Sequence, residues 1–158
     1  MTEYDGGPVA LVRSALVDAG VGDTIRNFPA GVPTAVAAAE ALNCNVAAIT
    51  NSLIFDLGGE PLLILASGAA RVDTALVARQ LGTGKIRRAT PQFVLEHTGQ
   101  EVGGVAPVGH PQKIRTLLDE SLRAHSLLWA GAGDHQSMFS VTYPQLKRIT
   151  GALELPVR

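Results

Sequence analysis

The fold is decided by residues 46–67, which read VAAITNSLIFDLGGEPLLILAS. Two apolar runs rich in strand-forming residues, 46–57 and 61–67, flank the pair Gly58-Gly59. Two consecutive glycines supply the backbone angles that a tight hairpin turn needs. The pattern therefore predicts a β-hairpin, and we expect this hairpin to form the centre of the sheet.

Helical and strand patterns alternate on both sides of this hairpin. Apolar residues at helical spacing, with threonine or proline starts and glycine stops, predict helices over residues 9–19, 34–42, 71–81, 90–99 and 144–149. Short β-rich runs predict further strands over residues 24–28, 85–88, 113–118, 126–132 and 137–142. No repeat or linker interrupts the alternation, which predicts a single mixed α/β domain over residues 1–158.

Composition and charge exclude several classes of protein. The formal net charge of -1 gives no domain-wide electrostatic footprint for a nucleic-acid duplex, and we expect no DNA partner. The start, Met-Thr-Glu-Tyr-Asp, lacks the basic and apolar regions of a leader peptide, and no apolar run approaches membrane-spanning length. We therefore expect a soluble, cytoplasmic protein without a membrane partner. The single cysteine, Cys44, is interpreted as a small buried hydrophobe rather than a nucleophile, because no histidine lies near it in the sequence.

The common catalytic and cofactor motifs do not occur. The four histidines are scattered, so we expect no metal site. Neither a P-loop nor a GxGxxG pattern after a strand is present, so we expect no cofactor. No serine lies in a Gly-x-Ser-x-Gly elbow, which makes a covalent hydrolase an unattractive hypothesis.

The densest concentration of turn-forming residues is GGVAPVGHP at residues 103–111. Its backbone N–H groups could approach a ligand closely and stabilise an oxyanion, because glycine leaves the main chain uncovered. On residue types alone, a tight connection that binds no ligand is an equally valid interpretation. Both interpretations stay open at this level. We call residues 103–107 the glycine loop.

Several segments in order along the chain resemble the YbaK and prolyl-tRNA synthetase associated editing domains. They are AEAL at 39–42, ITNSLIF at 49–55, GAARVD at 68–73, GGVAPVG at 103–109, WAGAGDH at 129–135 and FSVT at 139–142. The resemblance implies a mixed α/β fold with a curved, largely antiparallel sheet surrounded by helices. It also implies a pocket between the glycine loop and the central hairpin, and hydrolysis of the ester that joins a wrong amino acid to tRNA.

Members of this family generally use neither a metal nor a covalent intermediate, and water attacks the ester with help from the substrate's own ribose hydroxyl. By resemblance, backbone contacts to the substrate would come from Gly103, Gly104, Val105 and Ala106. Pro107 would hold the shape of the glycine loop. His135 would position the substrate from the facing hairpin, although a solvated turn histidine beside Asp134 is the alternative interpretation.

The sequence departs from the family at Asn51, where members typically carry a lysine that holds the phosphate or ribose end of the substrate. Asn51 keeps a hydrogen-bond donor but lacks the charge, so a contact of about 1.5–3 kcal/mol becomes one of about 0.5–1.5 kcal/mol. Arg71 and Lys113 could supply charge from neighbouring segments, or could simply lie on the surface. Ser52 follows Asn51 and is a further candidate substrate contact.

The predicted pocket is small and apolar. Its candidate walls are Phe28, Val32, Ile49, Leu53 and Ala130. The first hypothesis is an aminoacyl-tRNA deacylase for a small amino acid such as Ala, Ser or Cys, with the acceptor end of aminoacyl-tRNA as its partner and a synthetase as a further candidate partner. The alternative is a catalytically lapsed module that binds tRNA or docks on a synthetase.

Overall fold

A computed structural model describes residues 7–158, and residues 1–6, on which the leader-peptide interpretation depends, lie outside the described range. Within it the five α-helices are α1 (Pro8–Asp18), α2 (Ala35–Leu42), α3 (Thr74–Leu81), α4 (Pro91–Thr98) and α5 (Tyr143–Thr150). The eight strands are β1 (Ile25–Asn27), β2 (Ile49–Leu57), β3 (Glu60–Ser67), β4 (Arg87–Arg88), β5 (Arg115–Asp119), β6 (Leu128–Gly131), β7 (Ser137–Val141) and β8 (Leu153–Leu155). Two 3₁₀ turns cover Val46–Ala48 and Glu120–Ala124.

The strands of the described chain join in one mixed sheet with the order β1-β7-β6-β2-β3-β5-β8. Strand β4 pairs with β2 outside this path. The pairs β1/β7, β6/β7, β2/β3 and β2/β4 are antiparallel, whereas β2/β6, β3/β5 and β5/β8 are parallel. The predicted mixed α/β fold is confirmed.

The predicted hairpin forms the centre of the sheet, as expected. Strands β2 and β3 pair from Thr50↔Ser67 to Leu57↔Glu60. Gly58 and Gly59 have φ angles of 61° and 96°, which residues with a Cβ rarely adopt. Strand β3 is buried on both faces, because helices cover both sides of the sheet.

Each face of the sheet has its own core. On one face, Leu63 and Leu65 of β3 pack with residues of α1, α4 and α5, and with Val105 of the glycine loop. On the other face, Leu62 and Ile64 pack against α3. A third cluster joins α2 to Ile49 and includes the half-buried Cys44. The glycine loop is thereby held against one face of the central hairpin.

Some boundaries differ from those that the sequence predicts. Helix α3 begins at Thr74 rather than residue 71, because the Asp73 carboxylate accepts the N–H of Leu76 and caps the helix there. Strand β4 is only two residues long, and strand β8 and the 3₁₀ turn at Glu120–Ala124 were not predicted. A three-residue strand such as β8 forms because β5 offers it a partner edge, which is a tertiary cause. The assignment of residues 1–158 to one domain includes residues outside the described range and stays a prediction.

Candidate functional site

The candidate site is a gap in the sheet beside β2. Strand β2 pairs with β6 only at Ile49 and Thr50, and with β4 only at Phe55 and Asp56. Between these points, residues 51–54 have no strand partner on that edge within the described chain. A cavity of ≈ 980 Å³ lies at this gap, lined by β2, the glycine loop, the start of α2, the segment before α3 and the segment between α3 and α4. Its volume is in the range of small-molecule sites.

The alternation of β2 sorts its residues between the two faces. Leu63 and Leu65 lie opposite Ile54 and Ser52, so these β2 residues share the face on which the glycine loop packs. Thr50 lies on this same face, because side chains two residues apart along a strand point the same way. Asn51 points to the other face, towards α3. Both faces contribute to the cavity because it opens through the unpaired edge.

Among residues 7–158, two backbone N–H groups of the glycine loop donate hydrogen bonds within the protein, and two do not. The N–H of Gly104 donates to the Glu101 carbonyl at 2.9 Å. The N–H of Ala106 donates to Oε1 of Gln100 at 2.6 Å. The N–H groups of Gly103 and Val105 have no hydrogen-bond partner among residues 7–158, and both residues line the cavity. These two amides are therefore available to an oxygen of a bound ligand.

Gln100 holds the glycine loop from behind. Its side chain is almost fully buried, and besides accepting the N–H of Ala106 it donates from Nε2 to the Val108 carbonyl at 3.4 Å. Thr98 in turn fixes the backbone of Gln100, whose N–H donates to the threonine hydroxyl at 2.9 Å. One amide side chain thus links the two ends of the turn at 106–108 and fixes the path of the loop.

His110 provides a second support for the same turn. Its Nε2 lies 2.8 Å from the Ala106 carbonyl oxygen, a distance that fits donation by the ring N–H. Burial lowers the pKa of His110 below its ordinary value of 6.5, and the bond to Ala106 opposes this shift only in part. A lowered pKa favours the neutral ring near neutral pH.

The turn between β6 and β7 packs against the glycine loop, backbone on backbone. The N–H of Gly133 donates to the Gly104 carbonyl at 3.0 Å. A Cβ on Gly104 would lie 2.8 Å from Cα of Asp134, and a Cβ on Gly131 would lie 3.0 Å from the Val105 carbonyl oxygen. Glycine is needed at Gly104 because no side chain fits between these two backbones.

Eight of the residues proposed from the sequence line the cavity: Val32, Ile49, Asn51, Ser52, Leu53, Arg71, Gly103 and Val105. Three other residues of the glycine loop do not line the cavity. Gly104 packs against Asp134, Ala106 uses its N–H on Gln100, and Pro107 is buried. The N–H groups of Gly104 and Ala106 already donate within the protein, and a backbone contact of these two residues to a substrate stays a prediction.

The remaining predicted residues lie outside the lining. Phe28 packs in the α2 cluster, and the Arg26 guanidinium lies 5.3 Å from the centre of its ring. His135 is exposed, and its ring stands against Gly103, where an added Cβ would come within 2.9 Å of Cε1. Lys113 lies beside Gly151, away from this cavity. Phe28 and His135 are therefore not part of the cavity lining, and a substrate contact of Phe28 and a substrate-positioning role of His135 stay predictions.

Arg88 and Thr50 are two of the lining residues that the sequence analysis missed. Arg88 lies on β4 and lines the cavity together with Arg71. Neither arginine takes part in the ion pairs of the described residues, and Asp134 is an acidic residue that also lines the cavity. The basic run Lys85-Ile-Arg-Arg88 was the available signal in the sequence. Both arginines are exposed, so positive charge lies at the open part of the cavity.

The second missed residue is Thr50, which is 2 % exposed. Within the described chain, Oγ1 of Thr50 and Oγ of Ser52 are buried side-chain oxygens without a hydrogen-bond partner. A buried hydroxyl left unpaired costs about 1–3 kcal/mol. Both residues line the cavity, so the unpaired hydroxyls are concentrated at the site. Because they are two residues apart on β2, the two hydroxyls lie on the same face of the strand as the apolar side chain of Ile54.

Residues 7–158 contain neither a cluster of metal-binding side chains nor a membrane-spanning helix. No three side chains among His, Cys, Asp and Glu come together in a way that could hold a metal ion in this part of the chain. None of the helices described is both long enough and apolar enough to cross a bilayer.

Residues 29–149 match the model of the aminoacyl-tRNA editing domain. The chain belongs to this family. The match contains the central hairpin, the glycine loop and the β6–β7 turn, which together build the cavity. The resemblance seen in the sequence is therefore confirmed.

Relatives of this editing domain are of two kinds. The chain is 32% identical over 127 residues to the Bacillus subtilis protein YwhH, covering 80% of each chain. It is also 32% identical over 114 residues to the proline–tRNA ligase of Halalkalibacterium halodurans, covering 72% of this chain but 18% of the ligase. A crystal structure described as that of a proposed trans-editing enzyme for prolyl-tRNA synthetase matches with a TM-score of 0.90 and 35% identity, covering 96% of each chain. The chain is thus an editing domain of the type associated with prolyl-tRNA synthetase.

Proposed function

We propose that this protein is an aminoacyl-tRNA deacylase that hydrolyses the ester between a small mischarged amino acid and the 3′ end of tRNA. The observation that carries the proposal is the pair of unused N–H groups at Gly103 and Val105, on the wall of a cavity opposite β2. Because such a reaction belongs to translation, we also propose a cytoplasmic location. Only water, the ester and the protein take part.

The two amides supply the electrostatic part of the mechanism. When water adds to the ester carbonyl, negative charge develops on its oxygen, and prepositioned N–H donors stabilise this charge more than that of the ground state. Gln100 and His110 hold the glycine loop in one conformation, so little reorganisation is needed when the charge forms. Removing one such donor typically lowers kcat by about 10²–10³-fold.

The proton transfer is assigned to the substrate. Asp134 is the acidic residue nearest the glycine loop in the lining, and its Oδ1 already accepts the N–H of Gln136 at 2.9 Å. A neighbouring ribose hydroxyl can instead accept a hydrogen bond from the attacking water and orient it. The water oxygen bonds to the carbonyl carbon, the bond to the ribose oxygen breaks, and that oxygen takes up a proton. The products are the free amino acid and tRNA.

The tRNA end is held by charge at the open part of the cavity. Asn51 lines the cavity without the positive charge that the family's lysine would bring, whereas Arg71 and Arg88 are charged and exposed there. Guanidinium groups bind phosphate well because they offer several donors in one plane. We assign to these arginines the phosphates next to the terminal adenosine, in place of the lysine.

The test is time-resolved deacylation of tRNA(Pro) charged with Ala, Cys, Ser or Thr, against a protein-free control. We expect faster hydrolysis of at least one species, lost in Gly104→Ala but kept in Gly84→Ala. Gly84 is a matched control because a Cβ there would contact nothing within 4 Å. No acceleration with any charged tRNA would contradict the deacylase.

The second candidate function is a lapsed module that binds tRNA or a synthetase, favoured by Asn51 at the lysine position. Asn51→Lys separates the two. A lapsed enzyme should gain hydrolysis with this variant, whereas an active enzyme that uses Arg71 and Arg88 should gain little. Binding of uncharged tRNA measured alongside would identify the binding module if hydrolysis stays absent in both proteins.

A further inference from the structure

Four buried hydroxyls of the described chain have backbone partners, and two at the cavity have none. Those of Ser67, Thr98, Thr116 and Thr150 all donate to backbone carbonyls, at distances of 2.7–2.8 Å. The hydroxyls of Thr50 and Ser52 do not, and these two residues lie on the cavity wall. Because buried polar groups in proteins are almost always paired, the two exceptions at one site call for a partner that enters the cavity.

The surroundings of Thr50 and Ser52 narrow the chemistry of that partner. Ile54 and Val105 belong to the same apolar cluster on this face of β2 and also line the cavity. Buried waters typically make about three hydrogen bonds, and the side chains of Ile54 and Val105 add no partner to the two hydroxyls. A hydroxyl carried by a ligand can both donate and accept, and could pair with both protein hydroxyls after small rotations about their C–O bonds.

The position of Thr50 and Ser52 relative to the glycine loop indicates which part of the substrate they would contact. The proposed donors to the ester carbonyl are Gly103 and Val105, and Val105 packs on the face that carries Thr50 and Ser52. With the ester carbonyl at these amides, we place the side chain of the esterified amino acid beside it on this face. Alanine would place a methyl group there and leave both hydroxyls unpaired, whereas serine or threonine would place an oxygen there.

We propose that Thr50 and Ser52 form a hydroxyl-recognising subsite, so that the substrate is tRNA carrying serine or threonine rather than alanine. This inference rests on the proposed function for its ester and tRNA. It differs from that function in naming the acyl group and the residues that select it. A site that pairs with a substrate hydroxyl discriminates strongly against an analogue without it, because the protein groups are then left unpaired.

The first experiment compares kcat/KM for seryl, threonyl and alanyl esters of one tRNA in the wild-type protein, Thr50→Val and Ser52→Ala. We expect the wild type to prefer a hydroxyl-bearing substrate by about tenfold or more, and each variant to lose about tenfold in the seryl to alanyl ratio. Thr116→Val is the matched control, because its hydroxyl is paired and lies outside the cavity. Equal or faster hydrolysis of the alanyl ester, or an unchanged ratio in Thr50→Val, would overturn the proposal.

A second measurement separates this proposal from the deacylase itself. Calorimetric binding of 3′-amide-linked seryl-adenosine and alanyl-adenosine, which are not hydrolysed as esters are, reports recognition without chemistry. Preferential binding of the seryl compound, reduced in Thr50→Val, supports the subsite even if no charged tRNA is hydrolysed. Equal binding of the two compounds overturns it even if deacylation is observed.

The melting temperature of the ligand-free protein tests whether the Thr50 hydroxyl is unpaired. Thr50→Val should raise the melting temperature, because it removes an unpaired buried hydroxyl without changing the shape of the side chain. Thr116→Val should lower it, because it removes a paired one. A lowered melting temperature in Thr50→Val would show that its hydroxyl has a partner inside the protein, which contradicts the proposal.

Discussion

The two walls of the cavity are built in different ways. The β2 wall is one half of a hairpin whose partner strand follows it after two glycines, so its shape depends on residues close in sequence. The glycine-loop wall depends on groups outside the loop, namely Gln100, His110 and the backbone of Asp134. Substitutions of side chains on β2 should therefore change what the cavity binds, whereas substitutions of Gln100 or Gly104 should change the position of the glycine loop itself.

The largest expected effect is from Gly104→Ala. Its Cβ would lie 2.8 Å from Cα and 2.9 Å from C of Asp134, and backbone atoms cannot move aside as a flexible side chain can. We expect a loss of unfolding free energy of about 1–3 kcal/mol, together with loss of deacylation. Denaturant unfolding measures the first and tRNA deacylation the second. Wild-type stability and rate in this variant would show that the loop wall does not depend on backbone contact.

Gln100→Met should have the next largest effect. Methionine is similar in size but leaves the buried N–H of Ala106 without its acceptor, which costs about 1–3 kcal/mol of stability. We expect kcat to fall more than the binding of tRNA, because the loop loses its position. Gln80→Met is the control, since the Gln80 amide donates to Pro156 at an exposed site and its loss should have little effect. Equal losses of stability and kcat in Gln100→Met and Gln80→Met would contradict the role of Gln100 in holding the glycine loop.

Arg88→Gln tests whether the positive charge next to the edge of β2 binds tRNA. We expect weaker tRNA binding with kcat little changed, and a slope of log K against log salt that is about 0.7 units shallower, as for one lost contact to a single strand. Arg87→Gln removes the same charge from the same strand at a position outside the cavity lining. An equal change in slope for both variants would mean that general charge attraction is responsible.

The smallest expected effect concerns pH and His110. Its pKa is lowered in the folded protein from the ordinary 6.5, so the unfolded chain binds the proton more readily. The stability contributed by the neutral ring is therefore complete above about pH 6.5 and is lost as the pH falls through the folded pKa. We expect the stability difference between wild type and His110→Gln to shrink on acidification in this window. Parallel stability curves for the two proteins would contradict this assignment.

Local signals in the sequence were sufficient where neighbouring residues cause the structure. Gly58-Gly59 predicted the central turn, and Thr34 and Thr90 predicted helix starts at which each hydroxyl accepts a backbone N–H. The sequence located the glycine loop but did not show which of its N–H groups are free to bind a ligand. Whether the N–H of Ala106 faces a substrate or the protein depends on Gln100, six residues earlier, and no periodicity reveals that contact.

The sequence by itself determined the family, the mixed α/β class, the central hairpin and the segments that meet at the site. These follow from hydrophobic spacing, turn residues and ordered motifs, which act over a few residues. Only the tertiary structure decided which amides stay unused, that Thr50 and Ser52 are buried without partners, and that Arg88 shares the cavity with Arg71. The physical reason is that hydrogen-bond pairing and burial depend on groups brought together from distant parts of the chain, such as β4 and β6 on either side of the gap.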